Sequence, residues 1–238
     1  MLADRSISEQ ADRIEPDILL PATARHELIG FVAHELPRWR DHPDRKPATS
    51  ETTLTDQLCS HLNSEAYYST AWSHVQFRTE VPDEVHRARA IDLAAKPCGG
   101  VLIIEGRRHS HFDTLFPIEC KRLPTPKEKG RDEREYVITE PGTTGGIQRF
   151  KFGFHGAAHR FAAMIAYVQD QTFPYWIAQV NGWIRDLSTE ANSAWDDSDV
   201  VRPLSDDPVA RLRTLNSHHK REGGLEECEL RHLWIRMN

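Results

Sequence analysis

The chain contains few cysteines and no closely spaced pair of them. Its 238 residues include four widely scattered cysteines, namely Cys59, Cys98, Cys120 and Cys228. Zinc ribbons and disulfide-stabilised domains both need cysteines at short, repeated spacings. We therefore predict free thiols and neither of those two classes of protein.

Long hydrophobic runs are also missing. No apolar stretch approaches the roughly 20 residues of a membrane-spanning helix, and the segment from Met1 to Arg5 lacks the apolar core of a signal peptide. The composition, 39% hydrophobic and 28% charged, is typical of soluble globular proteins. We expect a cytoplasmic protein that makes no contact with a membrane.

The net charge of −6 leaves the chain without an overall excess of positive charge. This argues against a protein that binds nucleic acids nonspecifically over its whole surface. It does not exclude an enzyme that binds DNA through one local basic cleft, because acidic residues elsewhere lower the total.

Apolar residues at helical spacing predict a first helix from Ala24 to about Arg40. Residues 41–47 contain two prolines and mostly charged side chains, which predicts a linker. A second helix is predicted over residues 50–63, because Ser50 suits a helix N-cap. We therefore divide the chain into an N-terminal helical extension and linker, 1–47, and a single domain, 48–238.

The rest of the chain mixes strand and helix patterns. The predicted strands cover residues 75–79, 85–95, 116–123 and 229–236. The apolar run 101–105 fits a strand or a helix, residues 147–169 show the best helical pattern, and the acidic stretch 188–207 is predicted to be a loop. The fold class is then α/β, with a mixed central β-sheet flanked by helices and the strands 85–95 and 116–123 paired as a hairpin.

Two of the predicted strands carry charged residues where core packing gives no reason for them. Glu119 and Lys121 lie on one face of the strand 116–123, roughly 6–7 Å apart, because side chains alternate along a strand. Asp92 lies among small and apolar residues of the strand 85–95. A carboxylate that holds a hard metal ion, beside a lysine that handles a proton or a phosphate charge, would explain this placement.

Asp92 followed by Glu119-Cys120-Lys121 resembles the signature of the PD-(D/E)XK nucleases, the restriction-endonuclease-like superfamily. Ile91 stands where the strict signature has a proline, and the resemblance covers about residues 51–161. It implies a restriction-endonuclease-like core and a metal-dependent endonuclease that hydrolyses phosphodiester bonds in DNA, in restriction or anti-phage defence.

The resemblance also implies roles for individual residues. Asp92, Glu119 and the backbone carbonyl of Cys120 would hold Mg²⁺ or Mn²⁺. Lys121 would stabilise charge or orient the attacking water. Glu51, on the first core helix, would contribute to a second metal position.

Other positions remain open to more than one interpretation. Asp56 is the alternative to Glu51 on the same helix, and either acid could simply be solvated. The basic loop 124–145 could follow a phosphate backbone or could be a surface loop whose acids offset its lysines and arginines. By resemblance, residues at the start of the predicted helix 147–169 contact the nucleic acid; the candidates along that helix are Gln148, Arg149, Lys151 and Arg160.

Two further hypotheses compete with the nuclease. The chain could keep the nuclease fold without catalysis and act as a nucleic-acid or protein binding module. Alternatively, the pattern of Asp92, Glu119 and Lys121 could be coincidental, with the last two forming a surface ion pair of about 0–1 kcal/mol. For the nuclease we predict DNA as the partner, together with a second copy of the chain or a partner subunit of a defence system.

Overall fold

The computed structural model describes residues 17–238, which contain four α-helices and ten β-strands. The helices are α1 (Ala24–Arg40), α2 (Glu51–Tyr68), α3 (Gly146–Lys151) and α4 (Phe173–Ser188). The strands are β1 (Asp17–Leu20), β2 (Val75–Pro82), β3 (Ala90–Pro97), β4 (Val101–Ile104), β5 (Arg107–His109), β6 (Phe116–Leu123), β7 (Phe161–Val168), β8 (Arg202–Asp207), β9 (Leu212–His219) and β10 (Cys228–Arg236).

A seven-stranded mixed sheet forms the centre of the molecule. Its strand order is β2-β3-β6-β7-β10-β9-β8, and a separate sheet has the order β1-β4-β5. The central strands β6, β7 and β10 pair in parallel, whereas the flanking pairs are antiparallel. The predicted α/β class with a mixed central sheet is confirmed. The strands β3 and β6 are antiparallel neighbours as predicted, but β4 and β5 lie between them in the chain.

The two faces of the large sheet support two hydrophobic layers. On one face, Phe116, Ile118 and Cys120 of β6 pack with buried residues of α1 and α2. On the other face, Leu123 of β6 packs with α4 and α3. Alternation along β6 therefore puts Glu119 and Lys121 on the face of the sheet that α3 covers.

The helices α2 and α4 each begin directly after a residue whose side chain caps the helix. The Ser50 hydroxyl accepts a hydrogen bond from Thr53 N at the start of α2, and the Thr172 hydroxyl accepts one from Tyr175 N at the start of α4. The predicted helices at 24–40 and 50–63 correspond to α1 and to the first part of α2. The helix α1 packs in the same hydrophobic layer as α2, and the domain boundary at residue 47 stays a prediction.

The strand predicted at 85–95 corresponds to β3, which begins five residues after the predicted start. The Asp83 carboxylate accepts hydrogen bonds from Val85 N and His86 N, which holds residues 83–89 in a turn before β3 starts at Ala90. The ambiguous run 101–105 is a strand, β4, in the small sheet. The predicted strands at 116–123 and 229–236 correspond to β6 and β10.

The predicted helix 147–169 is wrong. Helix α3 ends at Lys151, and Gly153 and Gly156 have φ angles of 68° and 60°, which are incompatible with its continuation. Residues 161–168 then form the central strand β7, which is buried at every position. A strand covered on both faces shows no period of two, so its apolar run is indistinguishable from a helix by pattern.

The predicted loop 188–207 is wrong at its end. Residues 202–207 form β8, which is the outer strand of the large sheet and exposed at all six positions. Its pairing with β9 is irregular between Pro203 and Ser205. An exposed edge strand with few apolar residues lacks the hydrophobic pattern on which the prediction depended.

Candidate active site

The candidate site lies where β3 and β6 stop pairing. Their ladder ends at the pair Leu93 and Ile118. One residue further, the Asp92 side chain takes the place of a backbone partner, because its Oδ2 accepts a hydrogen bond from Cys120 N at 2.8 Å. On its other side β6 stays paired with β7 as far as Leu123, so only the side towards β3 is open.

Three carboxylates surround the ammonium group of Lys121 at this fork. Lys121 Nζ lies 2.7 Å from Glu119 Oε1, 3.4 Å from Glu51 Oε1 and 3.5 Å from Asp92 Oδ2. It also donates to the backbone carbonyl of Cys120 at 3.0 Å. We call the four side chains Glu51, Asp92, Glu119 and Lys121 the acid–lysine cluster. The structure thus brings together all of the residues predicted to be catalytic.

Glu51 reaches the cluster from the N-terminus of α2. Its Oε2 accepts a hydrogen bond from Arg122 N at 3.1 Å, which ties the first turn of the helix to β6. Asp56 lies five residues further along α2 and is exposed. It makes no hydrogen bond to Asp92, Glu119 or Lys121. Of the two alternatives on this helix, Glu51 is therefore the one that faces Lys121.

Two residues that arrive from outside the motif enclose Glu119. Arg149 of α3 donates to Glu119 Oε1 and lies 4.0 Å from Asp92 Oδ1. His155 Nδ1 lies 3.2 Å from Glu119 Oε2, and His155 N donates to Arg149 O. Glu119 is fully buried, and its charge is paired with those of Lys121 and Arg149.

His155 is a candidate that the sequence did not identify. A helix through residues 147–169 would have put it on a polar face that is usually only solvated. The signal that could have found it is the pair Gly153 and Gly156, whose left-handed backbone turns the chain back towards α3.

The environment shifts the pKa values of the cluster in opposite directions. Burial and the neighbouring Glu119 charge raise the pKa of Asp92 to about 7. Burial opposes ionisation of Glu119 as well, but Lys121, His155 and Arg149 outweigh it and lower its pKa to about 2. Burial likewise disfavours charge on Lys121, but Glu119, Asp92 and Glu51 raise its pKa above the ordinary value. Lys121 is therefore an ammonium ion suited to stabilising negative charge.

The cluster has the oxygen donors that a hard divalent ion prefers. Asp92 and Glu51 have partly exposed carboxylates, at 20% and 23%, and the Cys120 carbonyl points to the same place. Among residues 17–238 no three His, Cys, Asp or Glu side chains are arranged to hold a metal ion. In this cluster the Lys121 ammonium group lies between the three acids. The donor set fits Mg²⁺ or Mn²⁺ if Lys121 moves from between the carboxylates.

The other residues predicted to bind nucleic acid lie elsewhere. Gln148 Oε1 accepts hydrogen bonds from Gly145 N and Thr139 N and caps α3. Lys151 is 2% exposed and is paired with an acid, so it is not available to a ligand. Arg160 is exposed in the segment before β7 and is not part of the cluster. Arg149 alone of the four reaches the cluster.

Two arginines of the loop 124–145 pair with acids of the same loop. Arg131 Nη2 lies 2.6 Å from Glu135 Oε2, and Arg134 Nη2 lies 3.1 Å from Asp132 and 2.8 Å from Glu140. These pairs favour the interpretation of a surface loop of mixed charge over that of a loop that follows a phosphate backbone.

A second buried polar cluster begins at Lys151. Its Nζ lies 2.8 Å from Asp199 Oδ2, and Asp199 Oδ1 lies 2.7 Å from His219 Nδ1. His219 Nε2 lies 2.6 Å from Ser217 Oγ. This is the connectivity of a Ser-His-Asp triad. Ser217 and His219 are both completely buried, so no substrate reaches them and the arrangement is structural.

The chain of hydrogen bonds continues to β10 and has a definite direction. Trp234 Nε1 donates to the Tyr136 hydroxyl, which must then donate to His232 Nδ1. His232 Nε2 therefore donates to Ser217, and Ser217 donates to His219. Burial lowers the pKa of both histidines, consistent with neutral rings. Each of these side chains has a hydrogen-bond partner, and the cluster connects α3 with β9 and β10.

The comparisons with known proteins give no match to a family model, a curated protein or a solved structure. Among residues 17–238, none of the helices combines the length and the apolar character that crossing a membrane requires.

Proposed function

We propose that this chain is a metal-dependent endonuclease of the restriction-endonuclease-like type, which hydrolyses phosphodiester bonds in DNA. The observation that carries the proposal is the meeting of Glu51, Asp92 and Glu119 around Lys121 at the fork between β3 and β6. The three acids and the lysine come from three separate elements and meet in a poorly solvated site. Buried ion pairs seldom stabilise a fold, so this concentration of charge favours a catalytic role over a stabilising one.

The partly exposed carboxylates of Asp92 and Glu51, with the Cys120 carbonyl, would hold Mg²⁺ or Mn²⁺. Such an ion supplies an activated water and neutralises charge on a phosphate. Glu119, which is bound to three cationic or histidine groups, would set the position of those groups and join the metal ligands only by releasing one of them.

The remaining chemistry belongs to the chain's own cations. Lys121 carries its proton and would hold a non-bridging phosphate oxygen or orient the attacking water through its ammonium group. Arg149, 15% exposed, would supply a second positive charge beside it. His155 keeps Glu119 directed at both of them. All three act in a buried site, where electrostatic interactions are stronger than in water.

The proposed biological setting is restriction or anti-phage defence, and the proposed substrate is DNA. A second copy of the chain or a partner subunit would supply contacts to the nucleic acid, because only Arg149 of the four predicted contact residues lies at the cluster.

A cleavage assay tests the proposal directly. Plasmid, linear duplex and single-stranded DNA are incubated with the protein in Mg²⁺, Mn²⁺ or EDTA, and products are separated by electrophoresis. We expect cleavage with either metal, none in EDTA, and at least a hundredfold loss in Asp92→Ala, Glu119→Gln and Lys121→Ala. Asp186→Ala, an exposed change on α4, is the matched control and should cleave like the unmodified protein. Unchanged cleavage by Glu119→Gln would end the proposal.

A binding module without catalysis is the second candidate, and the enclosure of Glu119 favours it. Both oxygens of Glu119 already have partners. Calorimetric titration with Mn²⁺ separates the two functions. A nuclease should show heat of Mn²⁺ binding, and this heat should be absent in Asp92→Ala. A binding module with a non-functional metal site should show no heat with Mn²⁺ but should still bind DNA.

A further inference from the structure

A wide groove opens away from the acid–lysine cluster, at the beginning of β7. Its volume is about 870 Å³, and it is lined by the first turn of α1, the turn between β4 and β5, residues 158–161 and residues 226–229. Small-molecule sites commonly have volumes of about 300–1,000 Å³. Glu119 pairs with Met164 in the sheet, three residues beyond Phe161, so the groove lies on the order of 10 Å from the cluster along the strand.

One wall of the groove is basic. Arg25 is fixed by hydrogen bonds to Leu115 O at 3.4 Å and to Glu105 at 3.2 Å. Arg107 and Arg160 also line the groove, and both are exposed. Burial lowers the pKa of Arg25, and the charges of Arg107 and Arg160 lower it further, although Glu105 opposes them. Three guanidinium groups thus lie close together on the groove, with Glu105 as the acid that pairs with Arg25.

We call the part of the lining at residues 226–229 the acidic wall. Glu226, Glu227 and Glu229 line it just before and at the start of β10. Where the walls meet, Arg160 Nε lies 3.6 Å from Glu226 Oε2, but both side chains are about 70% exposed or more. An exposed pair of this kind is easily exchanged for a ligand contact.

The groove is held open by internal contacts. Arg221 donates to Gly156 O at 3.3 Å and to His159 O at 3.1 Å, and it also donates to Glu226 O. One guanidinium therefore joins the segment before β7 to the acidic wall. At the basic end the His26 ring packs on Phe161 with centroids 4.3 Å apart, which leaves an exposed aromatic surface.

We propose that this groove binds a nucleoside phosphate, with the phosphate on the arginine wall and the ribose hydroxyls on the glutamate wall. Guanidinium groups suit the planar, charged edge of a phosphate. Carboxylates accept hydrogen bonds from ribose hydroxyls in nucleotide sites. The exposed ring of His26 offers a surface for the base.

The acidic wall distinguishes this ligand from a nucleic-acid strand. A strand that entered along the arginines would bring its next phosphate against Glu226 and Glu227, where like charges repel. A single nucleotide places its only charged group at one end and avoids this contact. The assignment concerns a different place from the acid–lysine cluster and does not depend on nuclease activity.

Calorimetry with AMP, inorganic phosphate and adenosine, in EDTA so that no metal ion contributes, tests the assignment. We expect AMP to bind more tightly than either of its parts. Arg107→Glu should weaken AMP at least tenfold, because a charge-assisted contact to phosphate is lost and a like charge is added. Glu227→Gln should weaken AMP but not phosphate, and Asp186→Asn should change neither. Circular dichroism of each variant verifies its folding.

Four outcomes would overturn the assignment. The first is no heat with AMP at millimolar concentration. The second is unchanged AMP affinity in folded Arg107→Glu. The third is loss of AMP binding in Glu119→Gln, which would place the ligand at the acid–lysine cluster. Displacement of AMP by oligothymidylate, added so that its phosphate concentration equals that of AMP, would also overturn it. The groove would then bind a single DNA strand. None of these results alters the cleavage test.

Discussion

Asp92 is a carboxylate that the folded protein ionises with difficulty. It lies beside Glu119, and its pKa is raised from 3.8 to about 7 by burial and by that neighbouring charge. Between these pH values the folded protein keeps a proton that the unfolded chain has lost. The contribution of Asp92 to the free energy of unfolding therefore falls as the pH rises from about 4 to about 7.

The size of this effect follows from the pKa. A rise from 3.8 to about 7 corresponds to about 4 kcal/mol above pH 7, at 1.36 kcal/mol for each pKa unit. Because the Asp92 side chain is 20% exposed, solvent screening reduces the expected value to about 2–3 kcal/mol. Asp92→Asn removes the charge and keeps an oxygen that can accept the hydrogen bond from Cys120 N. The variant should thus be more stable than the unmodified protein above pH 7 and nearly equal to it near pH 4.

Urea unfolding across this pH range measures the difference. The matched control is Asp186→Asn, an exposed acid on α4, which should change the free energy of unfolding by less than about 0.5 kcal/mol at every pH. If Asp92→Asn were no more stable than the unmodified protein at pH 8, the carboxylate would not be strained and the reasoning would be refuted.

Metal binding should cancel most of the difference in stability between the two proteins. An ion that binds only the folded state adds about 2.7 kcal/mol when its concentration is 100 times its Kd. Saturating Mg²⁺ or Mn²⁺ at pH 8 should therefore stabilise the unmodified protein and leave Asp92→Asn almost unchanged. Equal stabilisation of both would show that the ion binds elsewhere.

Two further predictions concern the support of α3, both measured by urea unfolding. Lys151→Met should lower the free energy of unfolding by about 3–5 kcal/mol, because it leaves Asp199 buried without its cation; a loss below about 1 kcal/mol would contradict this. Gly145→Ala should destabilise by at least about 1–3 kcal/mol, since its Cβ would lie 2.3 Å from Ile138 Cα. Its control is Gly30→Ala on α1, where a Cβ meets nothing within 4 Å and up to about 1 kcal/mol of stabilisation is expected; equal effects of the two changes would exclude the steric explanation.

The central part of the candidate site was predictable because it depends on local pattern. Alternation in β6 put Glu119 and Lys121 on one face, and the antiparallel register of β3 with β6 brings Asp92 next to them. Glu51 followed from the resemblance, which implies an acid on the first core helix, together with the helix start that Ser50 caps. The placement of Glu119 and Lys121 needs only the side-chain period of one strand, and that of Asp92 needs one strand pairing.

The outer part of the site depends on contacts that no local pattern reports. Arg149 and His155 reach Glu119 across 30 and 36 residues, and His155 does so from a turn that Gly153 and Gly156 make possible. Lys151 was predicted to bind nucleic acid, but its partner Asp199 lies 48 residues away in what was predicted to be a loop. The helix prediction at 147–169 was also wrong because it depended on local pattern alone. The burial of β7 on both faces is a property of the whole sheet.

The outer strand β8 limits how two copies of this chain can assemble. Pro203 offers no N–H, the pairing is irregular beside it, and Asp206 and Asp207 place negative charges along the margin. A strand from a second molecule would miss a donor there and meet repulsion, so two sheets cannot easily merge through their β8 strands. A symmetric pair of these molecules would have to use a different surface, with the β8 margins left in water.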